Sequence, residues 1–550
     1  MRVTRSLLSD KNRRYLSQLA KSSPKWQSVV GLEVHAQIAS ESKLFSGAAN
    51  KFSSPINSNV SLFDAATPGT LPVLNQRCVE AGVLTALSLN CRVNPVSYFD
   101  RKHYFYADMP SGYQITQQRA PLAENGHLEF HVFTPGVHKS PYKAHAKLKQ
   151  LQLEQDSGKS LHDFDRSLVD LNRAGAPLME LVFEPDLADG EEAAALIKEL
   201  VNILQRIQTC SCKMEGKLLT SSASVEEASA ALAARNSASH SSISSVKGAF
   251  RVDANVSVRR PGDPLGTRTE IKNIGSVRGV AGAIKYEIQR QIKVLEANGT
   301  VVNETRSWNP EKKETIAMRD KEIQQDYRYM PEPNLPPLHI VMGPIRGGGV
   351  NADEIKERIP ELPEQTRQRL EQTFGIRQEH CIILVNDAGL LRLFEAAQIG
   401  RELSAQKLAN FLINELYKTL HEMDLEASDV KFNPDYLGEI VELIEAGTIN
   451  RPASEMVLRQ LLEGNPDRPL QIVENNGWKQ ITDEEELRLL CRQVLQENEK
   501  GLKQYLGGKS KVFRAFMGAV YRKSNERADM KKCDTLLKEI LGELSKRKVD

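Results

Sequence analysis

Val29-Val30-Gly31-Leu32-Glu33-Val34-His35-Ala36-Gln37-Ile38 is the stretch on which the fold turns. Apolar and polar residues alternate strictly, which predicts a β-strand. Leu32, Val34, Ala36 and Ile38 fall on one face, and Glu33, His35 and Gln37 on the other. On an outer strand such a polar face is simply solvated. At the centre of a large domain, a Glu and a His two residues apart point the same way and need a partner, because an unpaired buried carboxylate is costly. A divalent metal ion suits both, since carboxylate oxygen and imidazole nitrogen are good ligands. Both readings are compatible with the alternation.

Around this strand lies a chain of 550 residues, long enough for about three to four domains. It is 40% hydrophobic and 26% charged, as soluble globular proteins are, and no run of eighteen apolar residues predicts a membrane span. The seven cysteines are scattered and odd in number, which points to free thiols in a reducing compartment. Cys210-Ser211-Cys212 has no second pair at zinc-site spacing and reads as structural. The net charge of +2 hides an asymmetry. Residues 1–25 carry Arg2, Arg5, Lys11, Arg13, Arg14, Lys21 and Lys25 against Asp10 alone, among many Ser and Leu. That is the composition of a mitochondrial transit peptide, or else of a disordered basic tail.

Residues 26–344 read as one mixed α/β (α+β) domain. Strand-like runs are Leu128–Val132, Leu178–Phe183, Arg251–Val258 and Thr267–Ile271, with turn signals at Thr67-Pro68-Gly69, Asn125-Gly126 and Arg260-Pro261-Gly262. Helices are expected over Glu191–Ile207, with Asp186 as its cap, and over Val277–Ala297. Residues 218–247 are mostly Ser and Ala and read as a largely disordered insert, with a short helix at Val225–Arg235. Arg346-Gly347-Gly348-Gly349-Val350 reads as a flexible joint. Beyond it, residues 345–478 form an expected helical domain, with helices at Asp353–Phe374, Asp387–Gln398, Ser404–Met423, Pro434–Glu445 and Ser454–Glu463. Residues 479–550 form a small helical tail, opened by a capping box at Thr482–Glu485 and carrying the apolar stripe Val512, Phe513, Phe516, Met517, Val520, Tyr521. Lys500–Lys532 holds ten Lys/Arg against Glu526 and Asp529. A phosphate backbone is the simplest partner for it, and a solvated basic face the alternative.

Gly158-Lys159-Ser160 and Gly508-Lys509-Ser510 are not phosphate-binding P-loops, because the glycine that must precede them is replaced by Leu153 and Lys503. The first domain instead carries polar clusters in strands and turns: Tyr98–Tyr106, Leu153–Lys159, Asp170–Gly175, Asp253-Ala-Asn255 and Glu270-Ile-Lys272. Acids that hold a metal beside cations that hold phosphates are what phosphoryl transfer needs.

Six segments in order carry a resemblance: Gly31-Leu-Glu-Val-His35, Tyr98–Tyr106, Leu153–Ser160, Asp170–Pro177, Arg251–Val258 and Asp326–Pro333. Together they resemble the B subunits of the glutamyl-tRNA(Gln) amidotransferases, from about residue 28 to the C-terminus, and with the basic leader the mitochondrial form. The resemblance implies a catalytic cradle in the first domain, a tRNA-reading tail, and action in the mitochondrial matrix. It implies conversion of glutamate on mischarged tRNA(Gln) to glutamine. ATP phosphorylates the side-chain carboxylate, and ammonia then displaces phosphate. ATP and Mg²⁺ are the implied cofactors; the A and C subunits of the amidotransferase and tRNA(Gln) carrying glutamate are the implied partners, with no membrane. By the same resemblance Glu33 and His35 are expected as magnesium ligands, Asp253 and Glu270 as further catalytic acids, and Lys159, Arg173 and Lys272 as phosphate contacts. One departure is expected to weaken the metal site. The family's acidic pair before Asp-x-Gly-Lys is here Glu154-Gln155, so Gln155 stands at a ligand position and Glu154 is expected on the opposite face. The alternatives are a noncatalytic tRNA-binding scaffold of the same complex and a stand-alone synthetase.

Overall fold

The expected strand forms over Gln27–Gln37 (β1) and lies fifth of nine in the main sheet. The structure, a computed structural model, describes residues 25–546 apart from 52–53, 164–165, 215–248, 319–326, 344–348 and 402. The proposed leader and the Ser/Ala insert with its helix thus lie outside the described residues, as does most of the expected glycine joint. Contacts divide the chain into two units, Met1–Glu364 and Gln365–Asp550.

Among the described residues, the first unit contains sixteen further strands: β2 (Arg92–Val93), β3 (Val96–Ser97), β4 (Asp100–His103), β5 (Tyr113–Thr116), β6 (Ala123–Val132), β7 (Tyr142–Gln155), β8 (Lys159–Asp163), β9 (Arg166–Asp170), β10 (Pro177–Phe183), β11 (Phe250–Arg259), β12 (Thr269–Lys272), β13 (Thr305–Asn309), β14 (Glu314–Ala317), β15 (Arg328–Pro331), β16 (Leu338–Val341) and β17 (Val350–Asn351). The main sheet runs β14-β13-β12-β11-β1-β10-β7-β6-β2 and is antiparallel except between β12 and β13. β15-β4-β5 and β17-β16-β3 form two small sheets, and β8-β9 a ribbon.

Period-two alternation gives the main sheet two unlike faces. Leu32, Val34, Ala36, Leu151, Leu153, Met179, Leu181, Val252, Ala254 and Val256 belong to one apolar core. Helices α1 (Gln76–Ser88), α2 (Gly190–Arg206) and α3 (Val277–Glu296) contribute Cys78, Val83, Leu196, Leu200, Val280 and Ile284 to the same core. The residues between those apolar ones carry polar groups on the other face. Ser276 caps α3 by accepting from Gly279 N. The cap of α2 is Asp189, which accepts from Glu191 N and Glu192 N; the expected Asp186 instead accepts from Lys147 N.

Asn125-Gly126 does not make a turn. β6 runs through it in unbroken register with β7, Asn125 taking φ +56°. A Cβ on Gly126 would lie 2.5 Å from Cys91 Sγ, so the glycine permits a close approach inside the strand. The chain also does not leave the first unit at the expected joint. Val350–Asn351 pairs with β16, and Ile355 of α4 (Ala352–Glu357) is part of the first core.

The expected helix Asp353–Phe374 is two, Ala352–Glu357 and Pro363–Phe374, because Pro360 and Pro363 interrupt it. Ser404–Met423 is also divided, into Ala405–Phe411 and Tyr417–Glu422 around a π-helical turn at Leu412–Leu416. Gln378–Val385 was unforeseen: Cys381-Ile-Ile-Leu-Val385 is a short apolar run whose period fits strand and helix equally. The second unit has two apolar clusters, one between Leu370 and Val473 and one between Leu487 and Leu541. In the second, Asp483 rather than Thr482 caps Glu484–Glu497, accepting from Glu486 N. Phe516 and Val520 are its buried stripe residues. Among the described residues, no helix is long and apolar enough to cross a membrane.

Candidate metal centre on the polar face of the sheet

Register sets the site. Glu33 stands opposite Asp253, and His35 opposite Arg251 on one side and Glu180 on the other. Glu180 in turn stands opposite Gln152 of β7. Paired residues share a face, so Gln152, Glu154, Glu180, His35, Glu33, Arg251, Asp253 and Asn255 all lie on the side away from the helices. Glu270, opposite Asn255, extends the row into β12.

Two groups of potential metal donors result, His35–Glu154–Glu180 and Glu33–Asp253–Glu270, each with donor atoms within 4.8 Å of one another. Glu33 and His35, expected as ligands of one ion, therefore belong to neighbouring groups. In the first, His35 Nε2 is 3.4 Å from Glu154 Oε1. Thr116 Oγ1 donates to Glu154 Oε2 at 3.2 Å, and Gln152 Nε2 to Glu180 Oε2 at 2.6 Å. Glu180 and Glu154 were absent from the expected ligands.

Gln155 requires a correction. It is on the core-facing side of β7, and Glu154 is the residue that reaches His35. The registers leave no other outcome, because Leu151 and Leu153 occupy the core face and fix their even-numbered neighbours on the polar one. The lost carboxylate at position 155 thus removes no donor from the His35 group.

The electrostatics match two crowded acidic clusters. Burial alone would lower the His35 pKa, but its hydrogen bond to Glu154, with the charges of Glu154 and Glu180, raises it to about 9. Burial would raise Glu154, yet His35 holds it below the usual carboxylate range. Burial and the charge of Glu154 push Glu180 up. In the second group, burial and then Glu270 raise Glu33, and burial raises Asp253 despite His35 and Lys272. Ligands of one octahedral magnesium ion at 2.0–2.1 Å are about 3–4 Å apart, so either donor set closes on such an ion with small side-chain movement. A divalent charge would relieve the repulsion that raises these acids.

The expected phosphate contacts separate. Lys272 Nζ is 3.5 Å from Glu270 Oε1 and belongs to the site. Arg173 is engaged as a clamp: it donates to Ser157 O at 3.0 Å and Gly158 O at 2.7 Å, and faces Asp156 at 3.5 Å. Lys159 opens the β8–β9 ribbon opposite Asp170. Sequence reading missed Arg251, whose Nη2 donates to Asp156 Oδ1 at 3.0 Å while its charge acts on His35 and Asp253. Its signal was available, since Arg251 shares the alternation phase of Asp253.

The family model described as GatB/GatE catalytic domain matches residues 28–222 and 219–345, and the GatB domain matches residues 392–541. An Aedes aegypti protein, named as the B subunit of the mitochondrial glutamyl-tRNA(Gln) amidotransferase, is 49% identical over 98% of this chain and 98% of its own length. The human protein of the same name is 43% identical over 95% and 89%. A Rickettsia bellii protein, named as the B subunit of an aspartyl/glutamyl-tRNA(Asn/Gln) amidotransferase, is 39% identical over 96% and 100%. Domain matches across both units and end-to-end similarity place the chain: it belongs to the family of glutamyl-tRNA(Gln) amidotransferase B subunits, in its mitochondrial form.

Proposed function

We propose that this chain, in the mitochondrial matrix and in complex with A and C subunits, carries the ATP-dependent amidation of glutamate on tRNA(Gln). The family supports the role in Glu-tRNA(Gln) amidation. The observation that carries the chemistry is the His35–Glu154–Glu180 group on the open face of the sheet.

A carboxylate resists ammonia because its leaving group would be oxide, so it must first become an acyl phosphate. His35, Glu154 and Glu180 would hold Mg²⁺, which supplies charge neutralisation for the phosphates of ATP and the attacking carboxylate. The chain's own contribution is positioning. Gln152 and Thr116 fix Glu180 and Glu154 by hydrogen bonds. Arg251 and Lys272 supply cations on the same face for phosphate oxygens. Glu33, Asp253 and Glu270 form an acidic patch beside the reacting carboxyl group, suited to receiving ammonia and taking its surplus proton. The basic stretch Lys500–Lys532 of the second unit suits the body of the tRNA through phosphate and shape. A noncatalytic scaffold rested on Gln155 as a failed ligand, and with Glu154 beside His35 that support is gone.

The deciding assay mixes the purified complex with Glu-tRNA(Gln), ATP and glutamine. ATP cleavage that needs the mischarged tRNA, and that disappears in Glu154→Ala while tRNA binding persists, is the expected result. Amino-acid adenylation by the isolated chain would instead make it a synthetase.

A further inference from the structure

At the end of β7, on the opposite side of the strand from Glu154, lies a cavity of about 280 Å³ lined by Gln155. Gln155 is only 6% exposed, so its carboxamide needs partners. It lacks them. Its Nε2 has only the Met109 thioether at 4.0 Å, and among the described residues its Oε1 accepts no hydrogen bond. A carboxamide that opens onto a cavity with a thioether as its one side-chain contact is what a ligand would satisfy.

The lining restricts the ligand. Both charged lining residues are already neutralised. Arg101 donates to both carboxylate oxygens of Glu332, at 2.6 and 3.0 Å, and Asp64 takes the buried Lys43 at 3.0 Å. A phosphate, a carboxylate or an amino-acid zwitterion finds no free counter-charge. The Arg101 guanidinium lies 4.1 Å from the Tyr113 ring centroid, forming a flat stacked wall. The volume falls just under the range for drug-sized ligands, which suits one heterocycle.

We propose that this cavity is a nucleobase subsite, which takes a neutral adenine through the Gln155 carboxamide with the ring against the Arg101–Tyr113 wall. A glutamine side chain offers the donor and acceptor that match adenine N7 and N6, and guanidinium and aromatic planes are the usual stacking partners of unpaired bases. Gln155 follows Glu154 directly at the end of β7, with the two side chains on opposite faces of the strand. The adenine belongs either to the 3′-terminal adenosine of the tRNA or to ATP. This inference rests on the proposed function.

The test uses the assembled complex with Gln155→Leu and, separately, Thr67→Trp, which fills the cavity from a part-exposed lining position. Equilibrium binding is measured for tRNA(Gln), for the same tRNA lacking its 3′-terminal adenosine, and for ATP. Binding needs no turnover, so a complex without ATP cleavage would sink the functional reading and leave this measurement intact. A loss of roughly tenfold or more for intact tRNA, absent for the shortened tRNA, assigns the base to the tRNA. A similar loss for ATP alone assigns it to the nucleotide. Unchanged binding of all three in both variants, or equal losses for intact and shortened tRNA, overturns the proposal. If Gln155→Leu melts early, Thr67→Trp decides alone.

Discussion

His35 Nε2 and Glu154 Oε1 approach to 3.4 Å although their strands do not touch, because β10 runs between β1 and β7. Neighbouring strands lie about 4.8 Å apart, so the two side chains reach across the intervening strand and meet over Glu180. The same geometry gathers all three into one donor group and leaves the residue beside Glu154 out of it. Glu154→Gln should therefore lower divalent-ion affinity by on the order of 100-fold or more, the upper range for residues that only support a ligand. Gln155→Glu should leave it unchanged. Titration of the chelated complex with Mg²⁺ or Mn²⁺ checks both, and a rise in affinity with Gln155→Glu would restore position 155 to the site.

The chain stripped of divalent ions should lose stability as pH rises from 6.5 to about 9. His35 binds its proton more tightly folded, at about 9 against 6.5, so its contribution is fully present below 6.5 and is lost through 9. Glu180, raised by burial and Glu154, acts in the same direction, since ionising it in the folded state is penalised. Glu154, held low, loses its contribution only as pH falls through the acid range. Melting temperatures across this window should decline in the wild type and decline less in His35→Gln. Equal slopes in the two proteins would show that the imidazolium–carboxylate pair contributes nothing.

Much of this site was legible in the sequence, and its errors have physical causes. The strict alternation of β1 gave both the strand and the shared face of Glu33 and His35. The rows that join them are set by pairing between distant strands, which one strand's pattern does not specify. Glu180 sits alone in an apolar run, Leu178-Met-Glu-Leu-Val-Phe183, and only its register against His35 gives it meaning. Glu154 was recoverable: Leu151 and Leu153 fix the phase of β7, and that phase outweighs the motif alignment that favoured Gln155. Asn125-Gly126 misled because a short-range turn signal was overridden by pairing with β7 along the whole of β6. Pro360 and Pro363, by contrast, were visible breakers inside the helix expected over Asp353–Phe374.

Gly126→Ala tests the strand reading. The new Cβ would lie 2.5 Å from Cys91 Sγ, 3.0 Å from Leu148 Cβ and 3.1 Å from Leu89 O, with backbone on one side and packed core on the other. The expected cost is about 1–3 kcal/mol from overpacking. A lowered first unfolding transition, by calorimetry, is the readout. In an Asn-Gly turn the cost would instead come from a glycine held at positive φ, a conformation Gly126 does not take.

Lys43→Met should be among the most damaging single changes in the first unit. Lys43 is fully buried, and its ammonium donates to Asp64 Oδ2 at 3.0 Å and to Leu171 O at 3.3 Å. Burial lowers its pKa, partly offset by Asp64. Removing the cation leaves Asp64 buried, among the described residues, with only Ser46 and the Ser61 amide, at an expected cost of about 3–5 kcal/mol. The measurement is denaturant unfolding followed at a tryptophan of the first unit, with Lys43→Arg as the charge-retaining control.

Asp253→Asn should separate stability from activity. Glu33, Asp253 and Glu270 crowd their oxygens within 4.8 Å, and burial raises both Glu33 and Asp253 while Glu270 adds repulsion. His35, and after it Lys272, 3.5 Å from Glu270, are the cations that oppose this. Making position 253 neutral at constant shape removes one charge from the cluster. The chelated protein should therefore melt at a higher temperature than the wild type, while glutamine formation on tRNA falls. Such a trade is expected where acids are held together for function against their own repulsion. Adding divalent ions should narrow the stability gap, because the wild-type cluster gains more from the cation than the variant does. A variant that melts below the wild type under chelation would mean that the three carboxylates are stabilised by hydrogen bonds rather than strained by charge, and the second donor group would lose its claim on a cation.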